Sequence, residues 1–202
     1  LKNVSADANG LIDDYDGIYI KNNAGTGTVT IYNTTSSNNG GSGLEVASHR
    51  NILINGITTL DNGLFGVDLD NCHYVSATGG CLGNGSVTIS GNLPNISNNN
   101  GGGVNGSGFA IHSSGNVILS NFQAEGNIDG VFISNAYTGR SGTVTLNVTY
   151  VPPAGEWVNS ASGNSHWGIY IHSYGNITVD KCVAEHNSYV GADINNDTGP
   201  SI

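Results

Sequence analysis

GLEVASHRNILINGITTLDN, the stretch from Gly43 to Asn62, decides how this chain folds. After the glycine, apolar Leu44 and Val46 alternate with Glu45 and Ala47, as a strand with one buried face requires. Asn51, eight residues after the glycine, opens a second alternating run, Ile52-Leu53-Ile54. Asn62 stands nineteen after it, and Gly66 starts the pattern again. The same frame returns without gaps twice more. Gly108-Phe109-Ala110-Ile111 is followed by Asn116 and Asn127, and Gly168-Ile169-Tyr170-Ile171 by Asn176 and Asn187, with new starts at Gly130 and Gly191. The period is 22–23 residues. A unit this short cannot bury its own apolar face, so copies must stack on one another.

Between these plain units lie units starting at Gly17, Gly66 and Gly130 that carry insertions. They resume on similar strands, Thr28 to Ile31, Ser86 to Ile89 and Thr143 to Leu146. The insertions fall at residues 21–27, 71–85 and 135–142 after the first strand, and at 91–104 and 150–163 after the second. Loops at one position of a stacked repeat emerge on one side. Alternation assigns inward columns: Ile18, Leu44, Val67, Phe109, Val131 and Ile169 in one, Ile20, Val46, Leu69, Ile111, Ile133, Ile171 and Ile194 in another. A column of Asn9, Asn39, Asn62, Asn127, Asn164 and Asn187 sits at a turn, where stacked amides bond each other and free backbone groups. These features predict an all-β chain, a right-handed parallel β-helix of about seven to eight rungs. Residues 1–202 form one such domain. The chain starts and stops partway through a rung, so a slice of a longer solenoid, or a unit stacked end to end in a fibre, is expected.

The chain resembles the parallel β-helix repeat superfamily of pectate lyases, polygalacturonases, phage tailspikes and bacterial surface adhesins. The resemblance covers nearly all of it and implies the fold; many activities share that fold. The compact Asn-x-Asp, Asp-Asp and Gly-His-Gly signatures of the hydrolases are missing. The lyases' basic residue beside acidic calcium ligands has no counterpart, because Lys21 is the only base on the first-strand face.

Composition narrows the partners. The net charge is −10 with only five Lys and Arg, which leaves no basic footprint for nucleic acid. No run is long and apolar enough for membrane insertion. The 31 glycines and abundant Asn suit tight turns.

Four outward residues of the first strands, Glu45, Asp68, Asp70 and His112, fall on neighbouring rungs about 4.8 Å apart. They are the catalytic candidates if the chain cleaves polysaccharide, since paired carboxylates are what a glycosidase needs. The plain alternative is a solvated strand face. Tyr19, Phe132, Trp167 and Tyr170 are candidates for stacking on sugar rings. Asp7, Asn9, Asp13 and Asp16 resemble part of a Ca²⁺ loop, with oxygens at alternate positions around Gly10; no cofactor is otherwise called for. The outward Thr residues of the second strands suggest ice binding, but Leu53 and Ile118 interrupt them and strand propensity accounts for them. Cys72 and Cys81 bracket an insertion and are expected to form a disulfide, which implies an oxidising compartment. Cys182 falls in an apolar column. Among several Asn-x-Ser/Thr sequons, Asn84 and Asn105 stand in loops where a glycan would be tolerated.

The expected function is an extracellular or cell-surface structural or adhesive protein without chemistry of its own. Its expected partners are copies of itself or a longer parent chain, and polysaccharide. A polysaccharide lyase or glycoside hydrolase, and a carbohydrate-binding module like a tailspike part, remain as alternatives.

Overall fold

The computed structural model describes residues 1–10, 15–78, 80–92, 94–98, 106–149 and 159–197. Within them the chain is all β, and its two large sheets are entirely parallel. A seven-stranded sheet holds Ile18–Asn22, Leu44–Ser48, Val67–Asp70, Ser107–His112, Asp129–Asn135, Trp167–Ser173 and Val190–Asn196, side by side in chain order. Each glycine of the 22–23-residue frame stands at or near the start of one of these strands. Between successive members the chain visits the other, eleven-stranded sheet and returns.

That second sheet is forked. Val29–Ser37 and Ile52–Leu60 run through its whole width. One half of Ile52–Leu60 continues into Val87–Ser90, Val117–Ser120, Val144–Asn147 and Ile177–Val179. The other half continues into Asn95–Asn98, Phe122–Gln123, Asn159–Ser160 and Cys182–Val183. The bend inside the long strands is made by single left-handed residues, Asn33 at φ 46° and Gly56 at φ 79°. Asn and Gly are the residues that adopt this conformation at least cost.

The apolar columns fall in register. Ile18, Leu44, Val67, Phe109, Val131 and Ile169 are successive partners, as are Ile20, Val46, Leu69, Ile111, Ile133, Ile171 and Ile194. Facing them are Ile31, Ile52, Ile54, Val87, Ile89, Val117, Leu119, Val144 and Leu146, all buried. Phe109 and Phe122 meet edge to face across the core at 6.4 Å. The third arm is more polar inside than its sequence suggests. Ser36, Thr59, Asn95, Ser97 and Asn159 are buried there. They are satisfied locally: Thr59 and Ser97 hydroxyls lie 2.7 Å apart, and Ser36 and Ser97 donate to the Gly43 and Gly108 carbonyls.

The asparagine column is the joint between turns. The backbone N–H and side-chain amide of Asn9 both donate to Oδ1 of Asn39, at 3.0 and 2.9 Å. Asn39 treats Asn62 in the same way, and Asn164 treats Asn187 in the same way. Asn127 N–H donates to Asn164 Oδ1 at 2.9 Å. The residue before each of these asparagines has positive φ: Ala8, Asn38, Asp61, Gly126, Gly163 and His186. The strand-opening glycines pack against the same amides. A Cβ on Gly43 would lie 2.7 Å from Asn62 Nδ2 and 2.8 Å from the Gly66 carbonyl. The same holds for Gly108 against Asn127 and Gly168 against Asn187. This contact is the physical reason for the nineteen-residue spacing between glycine and asparagine.

Asn62→Ala strips the shared acceptor from two donors of Asn39. It should cost about 1–3 kcal/mol in denaturant unfolding. Gly43→Ala drives a methyl group into the same amide and should cost about 1–3 kcal/mol. Combining the two should give less than the sum, because the first change removes one of the atoms with which the second collides.

Candidate functional site

Outward side chains of the seven-stranded sheet make two rows. Register places Tyr19, Glu45, Asp68, Ala110, Phe132, Tyr170 and Asp193 in one, and Lys21, Ala47, Asp70, His112, Ser134, His172 and Asn195 in the other. The rows divide into an acidic end and an aromatic end, which meet at Ala110 and His112.

At the acidic end, Glu45, Asp68 and Asp70 stand together as expected, and Asp16 joins them. Asp16 accepts a hydrogen bond from Ser42 N–H at 2.8 Å, which aims its carboxylate at the sheet. Burial, then the nearby charge and a hydrogen bond with Asp16, then Asp70, raise the pKa of Glu45 above its ordinary range. Asp68 is more deeply set. Burial, with Glu45, Asp70 and Asp16 adding repulsion, pushes its carboxyl up to about 7. Asp70 accepts from Cys72 N–H at 2.9 Å and His73 N–H at 2.8 Å. Among the described residues Glu45, Asp68 and Asp70 form no ion pair with Lys or Arg. Lys21 lies beside Ala47 and points into solvent.

His112 sits between the two ends. Burial lowers its pKa against the opposing pull of Asp70. Its Nδ1 lies 3.3 Å from the hydroxyl of Tyr137, itself buried. Tyr137 comes from an insertion, and Tyr74 from another packs on it with centroids 5.8 Å apart. The Tyr74 loop is held by the bond between Cys72 and Cys81, whose Cα atoms are 4.7 Å apart. Arg140 donates to the Gly83 carbonyl at 3.2 Å and ties the two insertions together. They wall one side of the acidic end.

The aromatic end is a continuous stack. Phe132 and Tyr170 stack with nearly parallel rings and centroids 5.0 Å apart, and Trp167 stacks on Tyr170 at 4.6 Å. His166 extends the stack to Tyr189 and is anchored by Asp129 at 2.9 Å. A pocket of about 400 Å³ opens on this surface. Ala110 and Phe132 line it with Phe65, Ile128, Trp167 and the His166–Asp129 pair. Cavities of this size, apolar with a few fixed polar groups, are typical of small-ligand sites.

The structure brings Phe132, Trp167 and Tyr170 together and leaves Tyr19 apart, across from Glu45 and beyond the acids. Asp16, Tyr137, His166 and Tyr189 belong to this surface without having stood out in the sequence as part of it. His166 was open to detection, since it directly precedes Trp167. Of the residues resembling a Ca²⁺ loop, Asp7 accepts from Asn38, Asn9 donates to Asn39 in the ladder, and Asp16 stands at the acidic end; Asp13 lies outside the described residues. Among the described residues no group of three or more His, Cys, Asp or Glu is placed to hold a metal. Asn84 is exposed and accepts from Arg50; Asn105 lies outside the described residues. Cys182 is half-buried against the core, and burial pushes its thiol pKa up. Compared with known proteins, the chain matches no family model, no curated sequence and no solved structure.

Asp68 gives the fold a pH signature. Its folded pKa of about 7 exceeds the ordinary 3.8, so the folded state disfavours the ionised form. Stability is therefore greatest below about pH 4 as far as this group is concerned, and falls as pH rises through 7. The loss is ~2–4 kcal/mol, since each tenfold difference in proton affinity between folded and unfolded chain is worth about 1.4 kcal/mol. Asp68→Asn should make the protein more stable than the native chain at pH 8, with the difference vanishing near pH 4 in denaturant titrations. Replacing Cys72 and Cys81 by serine should cost about 2–3 kcal/mol through the freed loop, measured by thermal unfolding.

Proposed function

We propose that this chain coils as a right-handed parallel β-helix and serves as an extracellular adhesive element that holds carbohydrate on the outer face of its seven-stranded sheet. The observation that carries the reading is the stack of Phe132, Tyr170 and Trp167 beside a pocket of about 400 Å³. Flat aromatic faces cover the C–H face of a pyranose ring, and polar rim groups bond its hydroxyls. Here the rim supplies the His166–Asp129 pair and Ser107.

Several features support the rest of the proposal. Parallel sheets whose strands follow chain order, with the chain alternating between them, are what a coiled repeat produces. The bond between Cys72 and Cys81 fits an oxidising, extracellular setting. The outer edge of Val190–Asn196 leaves Ile194 45% exposed, although its column is fully buried from Val46 to Ile171. A further parallel strand, from another copy or from a longer parent chain, would cover it.

Trp167→Ala and Tyr170→Ala should each weaken binding of an oligosaccharide by about two- to tenfold, on the scale of ~0.5–1.5 kcal/mol per aromatic contact. Tyr19→Ala should leave it unchanged. Calorimetry or glycan-array binding with the three variants checks this. Equal binding by all of them would reject the aromatic face as the site.

A further inference from the structure

We infer that the glycan taken by this face carries free amines, as in a chain of glucosamine units, and that its ammonium groups seat beside Glu45 and Asp68 while its rings lie against Phe132 and Trp167, which line the pocket. The inference rests on the carbohydrate reading of the same pocket and adds the charge of the ligand.

Geometry links the pocket to the acids. Ala110 lines the pocket and is the direct strand partner of Asp68, which in turn is the partner of Glu45. Steps along this row are about 4.8 Å. A sugar chain lying along it from Phe132 therefore reaches the carboxyls within two or three strands. His112, also in the pocket lining, is the strand partner of Asp70.

The electrostatics of the row are lopsided. Glu45, Asp68 and Asp70 are set close together without a Lys or Arg partner among the described residues. Carboxylates crowded and partly dehydrated in this way cost the folded state free energy, which a cation at the site would recover. The nearby imidazoles do not supply that cation. Burial works against a charge on the His112 imidazole, and His166 is turned to Asp129. A uronic acid polymer would bring further negative charge to the same row. An amine on a sugar already positioned by the aromatic stack meets both halves of the surface at once.

The test uses the full chain and three oligosaccharides of equal length in calorimetry at neutral pH, where the Asp68 carboxyl, with its pKa of about 7, is substantially ionised and sugar amines still carry charge. They are a glucosamine hexamer, its N-acetylated form and a galacturonate hexamer. The expected result is that the amine form binds about tenfold tighter than the acetylated one, and that the galacturonate does not bind. Glu45→Gln and Asp68→Asn should each reduce that preference, and together abolish it, while Trp167→Ala weakens both glucosamine forms alike. Asp61→Asn, an exposed acid away from the row, should leave the preference intact. If both forms bind equally and still depend on Trp167, the amine is wrong and the carbohydrate reading stands. If neither binds the native chain, both fall. If Asp61→Asn erodes the preference as much as Asp68→Asn, the effect is bulk charge and the inference is overturned. Unfolding curves for Glu45→Gln and Asp68→Asn, expected to match or exceed the native chain in stability, separate lost binding from lost structure.

Discussion

Everything in this structure hangs on the contact between a strand-opening glycine and the amide of an asparagine on the adjacent turn. The asparagine must bring its Nδ2 close to the glycine Cα, because its Oδ1 is already accepting two bonds from the preceding asparagine. No side chain fits in that gap. The preceding left-handed residue turns the chain so that the amide points inward. With this corner fixed, the strand that follows has no freedom of register. A slip of one residue would turn every inward isoleucine, leucine and valine outward.

Fixed register is also what builds the outer face. Residues that are 22 or more positions apart in sequence become neighbours about 4.8 Å apart. Phe132 and Tyr170 stack for that reason, and Glu45 and Asp68 crowd for the same reason. The scaffold can hold three unpaired carboxyls beside one another because the interior columns beneath them are apolar, close-packed and indifferent to what lies outside. The insertions then complete the site from the rim: Tyr137 reaches His112, and the bonded Cys72–Cys81 loop presents Tyr74.

Strand alternation made the two apolar columns legible in the sequence, and the constant frame made the glycine and asparagine columns legible. What escaped had no frame. Asp16 sits among closely spaced acids and reads as part of a local loop, yet its partner Glu45 is on the next strand of the sheet. Tyr74 and Tyr137 lie in insertions of unequal length, where periodicity says nothing about position. Tyr19 shares a row with the aromatics, but row membership does not reveal that Glu45 and Asp68 stand between. Asn33 and Gly56 look like breaks between strands; they are bends inside continuous ones. Asn95, Ser97 and Asn159 look like loop residues and are core, because hydroxyls and amides there serve carbonyls of the neighbouring turns.

The asparagine ladder also has a direction. Within two described runs each member donates to the next one along the chain, through side-chain amide or backbone N–H: Asn9 to Asn39 and Asn39 to Asn62, then Asn127 to Asn164 and Asn164 to Asn187. The side-chain carbonyls therefore all point the same way, and the column is a polar rod with a donating tip and an accepting tip. Two such rods can join tip to opposite tip with every bond kept. Joined through a twofold axis, they would set donor against donor or acceptor against acceptor. Continuation of the ladder along this axis would keep its polarity, whereas a twofold joint would reverse it.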